Sequence, residues 1–174
     1  TEAMIALGNA LLRGGNGPAD ERAAFAWFEK AAQAGDTAGL VSLAGCYLQG
    51  WGTAPDFPQA VSLLNRASNS GDFTAKDLLG VCYARGLGVS RDDAKALELV
   101  REAYQNGVPS ACGNLGSMYL RGQGIPADPA RAAELFAEGS KKGHAESMLH
   151  YARGLESGIG LQADAAGAAR WYQE

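Results

Sequence analysis

The stretch Leu79-Gly80-Val81-Cys82-Tyr83-Ala84-Arg85-Gly86-Leu87-Gly88-Val89-Ser90-Arg91-Asp92-Asp93-Ala94-Lys95-Ala96-Leu97-Glu98-Leu99 decides the fold, because its pattern recurs along the chain. Gly35, Gly71, Gly107 and Gly143 are 36 residues apart. Counting units of that length divides the chain into 1–36, 37–72, 73–108, 109–144 and an incomplete 145–174. Unit position 14 is then glycine five times: Gly14, Gly50, Gly86, Gly122 and Gly158. Position 20 is Asp20, Asp56, Asp92, Asp128 and Asp164, and position 24 is Ala24, Ala60, Ala96, Ala132 and Ala168. Self-similarity at a fixed period of this length is the mark of a repeat architecture.

Each unit reads as two helices. In helix A, positions 3, 4, 7, 8 and 11 are apolar or small, and at 100° per residue they cover one face of about 140°. Glycine at 14 ends helix A, since it enters the left-handed region without a Cβ clash. A second glycine follows at Gly52, Gly88, Gly124 and Gly160, with Asn16-Gly17 as the departure in the first unit. The aspartate at 20 is placed to cap helix B through the free N–H groups of its first turn. Asp56 and Gln59 have capping-box spacing, and Pro129 suits a first helical position. Helix B carries apolar residues at 24, 27, 28 and 31, as in Ala24, Trp27, Phe28 and Ala31. One helix pair cannot bury its apolar face alone, whereas stacked pairs can, so the expected fold is an all-α solenoid of antiparallel helix pairs. No alternating run reads as a strand.

Composition narrows the function. The chain has 174 residues, 15 Lys+Arg against 19 Asp+Glu and a net charge of −4. That length suits a single domain over 1–174, and the mild acidity speaks against a nucleic-acid surface. No segment reaches the ~18 apolar residues of a membrane span. Gly is 24 of 174 residues, roughly twice the usual ~7%, which the repeated turn accounts for. The pattern begins inside a helix at Thr1 and breaks off in a helix at Glu174, so a longer parent chain is expected.

The units Leu79-Gly80…Tyr83…Gly86…Gly88-Val89…Asp92…Lys95-Ala96…Leu99 and Leu115-Gly116…Tyr119…Gly122…Gly124-Ile125-Pro126…Asp128 resemble the Sel1-like repeat, a branch of the tetratricopeptide-like solenoids. Trp27-Phe28-Glu29-Lys30-Ala31-Ala32…Gly35 matches the closing half of the same unit. The resemblance covers the whole chain. It implies a right-handed superhelix whose concave face is lined by the A helices, and a role as an adaptor in protein complexes, in bacteria often at the envelope. Tyr151-Ala152 in place of Leu-Gly and Gly139 in place of a helix-B alanine depart from the pattern. On propensity alone Gly139 weakens its helix by up to about 1 kcal/mol.

Residues able to carry chemistry are few. His144 and His150, six apart on one helix, do not share a face and read as edge histidines. Cys46 and Cys82 occupy equivalent A-helix positions. Stacked helices lie about 8–10 Å apart, beyond the ~7 Å that a disulfide spans, so the three thiols, Cys112 included, read as reduced and buried. Their odd number leans toward a reducing, cytoplasmic compartment, with a periplasmic or envelope setting as the other reading. The Gly-x-Gly loops follow helices rather than strands, so a dinucleotide site fails its context test. No catalytic residue, metal site or cofactor is expected.

A partner surface is expected on the opposite face of helix A, at positions 2, 5, 9, 12 and 13. The candidates are Ile5, Leu12, Arg13, Val41, Leu48, Gln49, Val81, Arg85, Leu120, Arg121, Leu149 and Arg153. An apolar row beside arginines suits a peptide or protein with an acidic flank. The leading reading is a non-enzymatic protein-interaction scaffold. The alternatives are a structural spacer in an envelope protein or, by analogy with some secreted relatives, an antibiotic-binding or hydrolysing enzyme.

Overall fold

The computed structural model describes residues 1–14 and 18–173, so the Asn16 departure and Glu174 lie outside the described residues. Ten helices follow in chain order: α1 (Glu2–Arg13), α2 (Glu21–Gln33), α3 (Thr37–Gln49), α4 (Phe57–Asn69), α5 (Phe73–Arg85), α6 (Asp93–Gln105), α7 (Pro109–Arg121), α8 (Pro129–Lys141), α9 (Ala145–Ser157) and α10 (Ala165–Trp171). No strand occurs among the described residues. The odd-numbered helices are the A helices and the even-numbered ones the B helices. The chain is therefore an all-α solenoid of helix pairs with a 36-residue period, as expected. It gathers into two compact units, Thr1–Arg91 with α1–α5 and Asp92–Glu174 with α6–α10. In each unit consecutive helices pack together, and alternate A helices also touch, α1 with α3 and α7 with α9.

Local chemistry sets the helix ends. The side chains of Asp20, Asp56, Asp92, Asp128 and Asp164 each accept the backbone N–H three residues on, at 2.9–3.0 Å. The expected reciprocal box at Asp56 forms only in half. The Asp56 N–H donates to the Tyr47 carbonyl at 3.0 Å and is not free for the Gln59 side chain. That bond recurs: Asp20 donates to Leu11, Asp128 to Tyr119 and Asp164 to Leu155. Each ties the start of a B helix to the end of its A helix. Asp36 and Asp72 cap α3 and α5 in the same manner.

The loop glycines answer two demands. Gly50 and Gly122 end their helices at φ +80° and +68°, in the left-handed region, where a Cβ is strained. The second glycine is held by its neighbours as well. A Cβ on Gly52, Gly88, Gly124 or Gly160 would run into the backbone carbonyl of Glu21, Phe57, Asp93 or Pro129, the first residue of the preceding B helix. Each of these four A–B loops therefore rests on the B helix before it.

Side chains in the core are matched in pairs. Position 8 meets position 28, so Gly8 lies under Phe28 and Gly116 under Phe136, with no room for a Cβ. Ala44 and Leu64, the corresponding pair in between, are both fully buried. Position 31 meets position 3 of the next A helix: Ala31 packs on Gly39, while Gly139 packs on Ser147. The assignment of position 11 to the core needs correction in the middle units. Cys46, Cys82 and Met118 at position 10 are buried, whereas Tyr47, Tyr83 and Tyr119 at 11 are half-buried; in the fifth unit Leu155 at 11 is buried as expected. Leu7 is 42% exposed, unlike Leu43, Leu79 and Leu115 at the same position, which are buried.

Gly139 is thus a packing requirement and more than a weak point in α8. A Cβ there would meet Ser147 and, at 3.0 Å, the Cys112 Cβ. Gly139→Ala is expected to lower the thermal midpoint despite alanine's better helix propensity, by about 1–3 kcal/mol of overpacking. Adding Ser147→Gly, which recreates the Ala31–Gly39 pairing, is expected to recover part of the loss in the same melts.

Candidate functional site

The candidate residues at unit positions 5, 9, 12 and 13 of the A helices differ in exposure. In the first compact unit Ile5, Leu12, Val41, Leu48 and Val81 are half-buried, and Arg13, Gln49 and Arg85 are exposed. In the second, Leu120 is half-buried, and Arg121, Leu149 and Arg153 are exposed. Arg13, Arg85, Arg121 and Arg153 form no ion pair among the described residues, whereas Arg131 on a B helix is paired with Glu134. Position 5 does not always face outward. Asp77 is 1% exposed, and Gly113 is buried where His144 and Ser147 press on it.

The second unit holds a cavity of about 220 Å³. Its floor is the Phe136 ring from α8, with the His150 ring of α9 stacked on it at 4.8 Å and 18°. Leu120 on α7, Ala132 and Ala133 on α8, Tyr151 and Gly154 on α9, and Ile159 and Leu161 from the following loop form the apolar wall. Arg153 and Ser157 supply polar groups to the lining. Two candidates from the sequence, Leu120 and Arg153, thus meet at one place. Sequence reasoning missed Phe136, His150, Ala133 and Gly154. The available signal was the departure of Ala133 and Gly154 from their repeat positions.

The histidines separate in role. His144 caps α9, its Nδ1 accepting the Ser147 N–H at 3.3 Å and lying 2.9 Å from Ser147 Oγ. His150 is not an edge residue. Burial pushes its pKa below the usual 6.5, Arg153 and Arg121 push the same way, and Glu146, 3.9 Å away, opposes them. The ring is therefore neutral at pH 7. Its NMR titration is expected below 6.5. As the unfolded chain takes up this proton first, His150 removes stability as pH falls from about 6.5 towards its folded value. His150→Phe is expected to flatten that part of the stability–pH curve measured by denaturation.

The thiols are placed against reactivity. Cys46, Cys82 and Cys112 are all buried. Burial pushes Cys46 and Cys82 up to about 11. It also raises Cys112, although Lys142 Nζ lies 3.7 Å from its sulfur and pulls the other way. That lysine is engaged by Glu138 at 2.8 Å, and Glu138 also accepts from Tyr104 OH at 2.8 Å. Few thiolates exist at neutral pH. A thiol-reactive dye at pH 8 is expected to label the native chain slowly and all three cysteines promptly in denaturant. No group of three metal-ligating side chains gathers among the described residues, and no helix is long and apolar enough to cross a membrane.

The Sel1 repeat signature matches residues 1–36, 38–72, 75–108, 109–144 and 145–174. The chain belongs to the Sel1 repeat family. Among solved structures, a Sel1 repeat protein from Oxalobacter formigenes is 27% identical with a TM-score of 0.75, over 99% of this chain and 68% of that one. The c5321 protein, described as a protective antigen of uropathogenic Escherichia coli, is 28% identical with a TM-score of 0.69. This chain spans 99% of itself but only 37% of c5321. A Sel1 repeat protein from Klebsiella pneumoniae, 23% identical with a TM-score of 0.73 over 99% of this chain and 84% of its own, shares the fold. No curated protein matches the chain at a significant level. Sel1 repeat proteins are in general non-enzymatic scaffolds for protein–protein interaction.

Proposed function

We propose that this Sel1 repeat chain is a non-enzymatic scaffold that binds a protein or peptide partner on the outward face of its A helices. The observation that carries this reading is that half-buried leucines on that face adjoin exposed polar side chains, two of them arginines that form no ion pair among the described residues. Leu12 adjoins Arg13, Leu48 adjoins Gln49, and Leu120 adjoins Arg121 in sequence, and each leucine is half-buried beside an exposed polar neighbour. Half-exposed leucine offers area to bury on binding, and a free guanidinium offers bidentate bonds to a carboxylate. The reading therefore favours an acidic segment as partner. Buried, poorly ionised thiols fit a reducing compartment, which is the setting proposed for the chain.

Arg85→Glu and Arg121→Glu, made singly and together, test the reading. Both side chains are exposed, so each change is expected to leave stability within about ±0.5 kcal/mol. The double variant is expected to bind a partner more than tenfold more weakly in calorimetry. Unchanged affinity with an intact fold would move the interface to the B helices or loops and favour the spacer reading.

A further inference from the structure

The cavity on α8 and α9 exists because two side chains that fill the same place elsewhere are missing. Unit position 25 is Phe25, Val61 and Leu97 in the first three units and Ala133 in the fourth. Position 10 is Cys46, Cys82 and Met118 in the middle units and Gly154 in the fifth. Within the first compact unit Val61, Cys46 and Cys82 are buried, and within the second Leu97 and Met118 are buried, so at those places the space is occupied. At Gly154 a Cβ would find only ordinary contacts, 3.4 Å to Leu161 and 3.6 Å to the Ile159 carbonyl. The glycine is neither a turn nor a close approach of backbones. It leaves room.

That room is about 220 Å³. An apolar void of roughly 150 Å³ holds a benzene ring, while pockets for free cofactors and drug-sized ligands run from about 300 Å³ upward. The size fits one large side chain. Its charge is one-sided: Arg153 is the charged lining residue beside a neutral His150, and no carboxylate lines the cavity. Glu146, which faces His150, is not part of the lining, and Glu156 on the same helix accepts from Tyr172 OH at 3.0 Å. The Arg153 guanidinium has no ion-pair partner among the described residues.

We infer that this cavity is the anchor point for the partner, receiving one leucine-, methionine- or phenylalanine-sized side chain of a peptide segment whose neighbouring aspartate or glutamate meets Arg153. The inference rests on the scaffold reading and sharpens it. The partner side chain takes the place of the repeat's own missing Phe25-like and Cys- or Met-like groups, against the Phe136–His150 stack. The apolar fit supplies affinity and the single arginine selects the acidic neighbour.

A displayed library of random seven-residue peptides, panned on the whole chain, tests this. Gly154→Met and Ala133→Leu refill the cavity with residues the repeat uses at those positions, and Arg153→Gln removes the charge. Peptides enriched on the unaltered chain are expected to share a large apolar residue within two positions of Asp or Glu. A synthetic representative is expected to bind both refilled variants at least tenfold more weakly, and to shift the His150 resonances of the unaltered chain. With Arg153→Gln the apolar preference is expected to persist while the acidic one disappears. If one refilled variant fails to fold, the other carries the comparison. Peptides that bind both refilled variants as well as the unaltered chain overturn the inference. Where those same peptides are lost with Arg85→Glu, the outward-face reading stands without the anchor. If no peptide is enriched, or no variant alters binding, both fall.

Discussion

The contact on which the structure depends is the one between the second loop glycine and the first turn of the preceding B helix. A carbonyl oxygen stands where a side chain would begin at Gly52, Gly88, Gly124 and Gly160. Backbone thus meets backbone, and the residue must be glycine on two grounds, positive φ and lack of space. This contact joins one helix pair to the next without using a side chain. Apolar groups on the helices remain free to form the core, and the outward A-helix face remains free for other use. The aspartate that follows fixes the other side of the loop, capping helix B with its carboxylate and tying back to helix A with its N–H.

Given that joint, helix packing becomes a matter of paired volumes. Phenylalanine lies over glycine at Phe28–Gly8 and Phe136–Gly116, and the small pairs Ala31–Gly39 and Gly139–Ser147 trade size between partners. Interiors packed at crystal density transmit even a single methylene, so a glycine that looks like a helix defect can be the smaller half of a fitted pair. Gly139 and Gly154 are both glycines inside A or B helices, yet they differ in kind. One is pressed on by Ser147 and Cys112, and at the other a Cβ would meet only ordinary contacts with Leu161 and Ile159.

The same principle explains how a scaffold repeat acquires a distinct feature. The solenoid tolerates trimming at one place because each unit rests mainly on its neighbours. Loss of filling at Ala133 and Gly154 leaves the caps, the loop glycines and the Gly116–Phe136 pair intact. A cavity lined by Leu120, Phe136, His150 and Arg153 results, with the histidine held neutral by burial and by nearby arginines.

The sequence by itself determined the 36-residue period, the order of A and B helices, the aspartate caps and the glycine ends. These are set by short-range physics: a helix period, an N–H three residues away, a positive φ. Helix spacing also puts Leu12, Leu48 and Leu120 at one position of their A helices, where each is half-buried beside exposed Arg13, Gln49 or Arg121. Spacing did not reveal that Asp77 and Gly113 turn inward, that position 10 is more buried than 11 in the three middle units, or that His150 stacks on Phe136. Those depend on which helix lies opposite, and an opposing helix is fixed only when the pairs dock. The cavity belongs to the tertiary structure for the same reason. Ala133 and Gly154 are unremarkable small residues on two helices, and only the packing of α8 against α9 turns two missing side chains into one shared space.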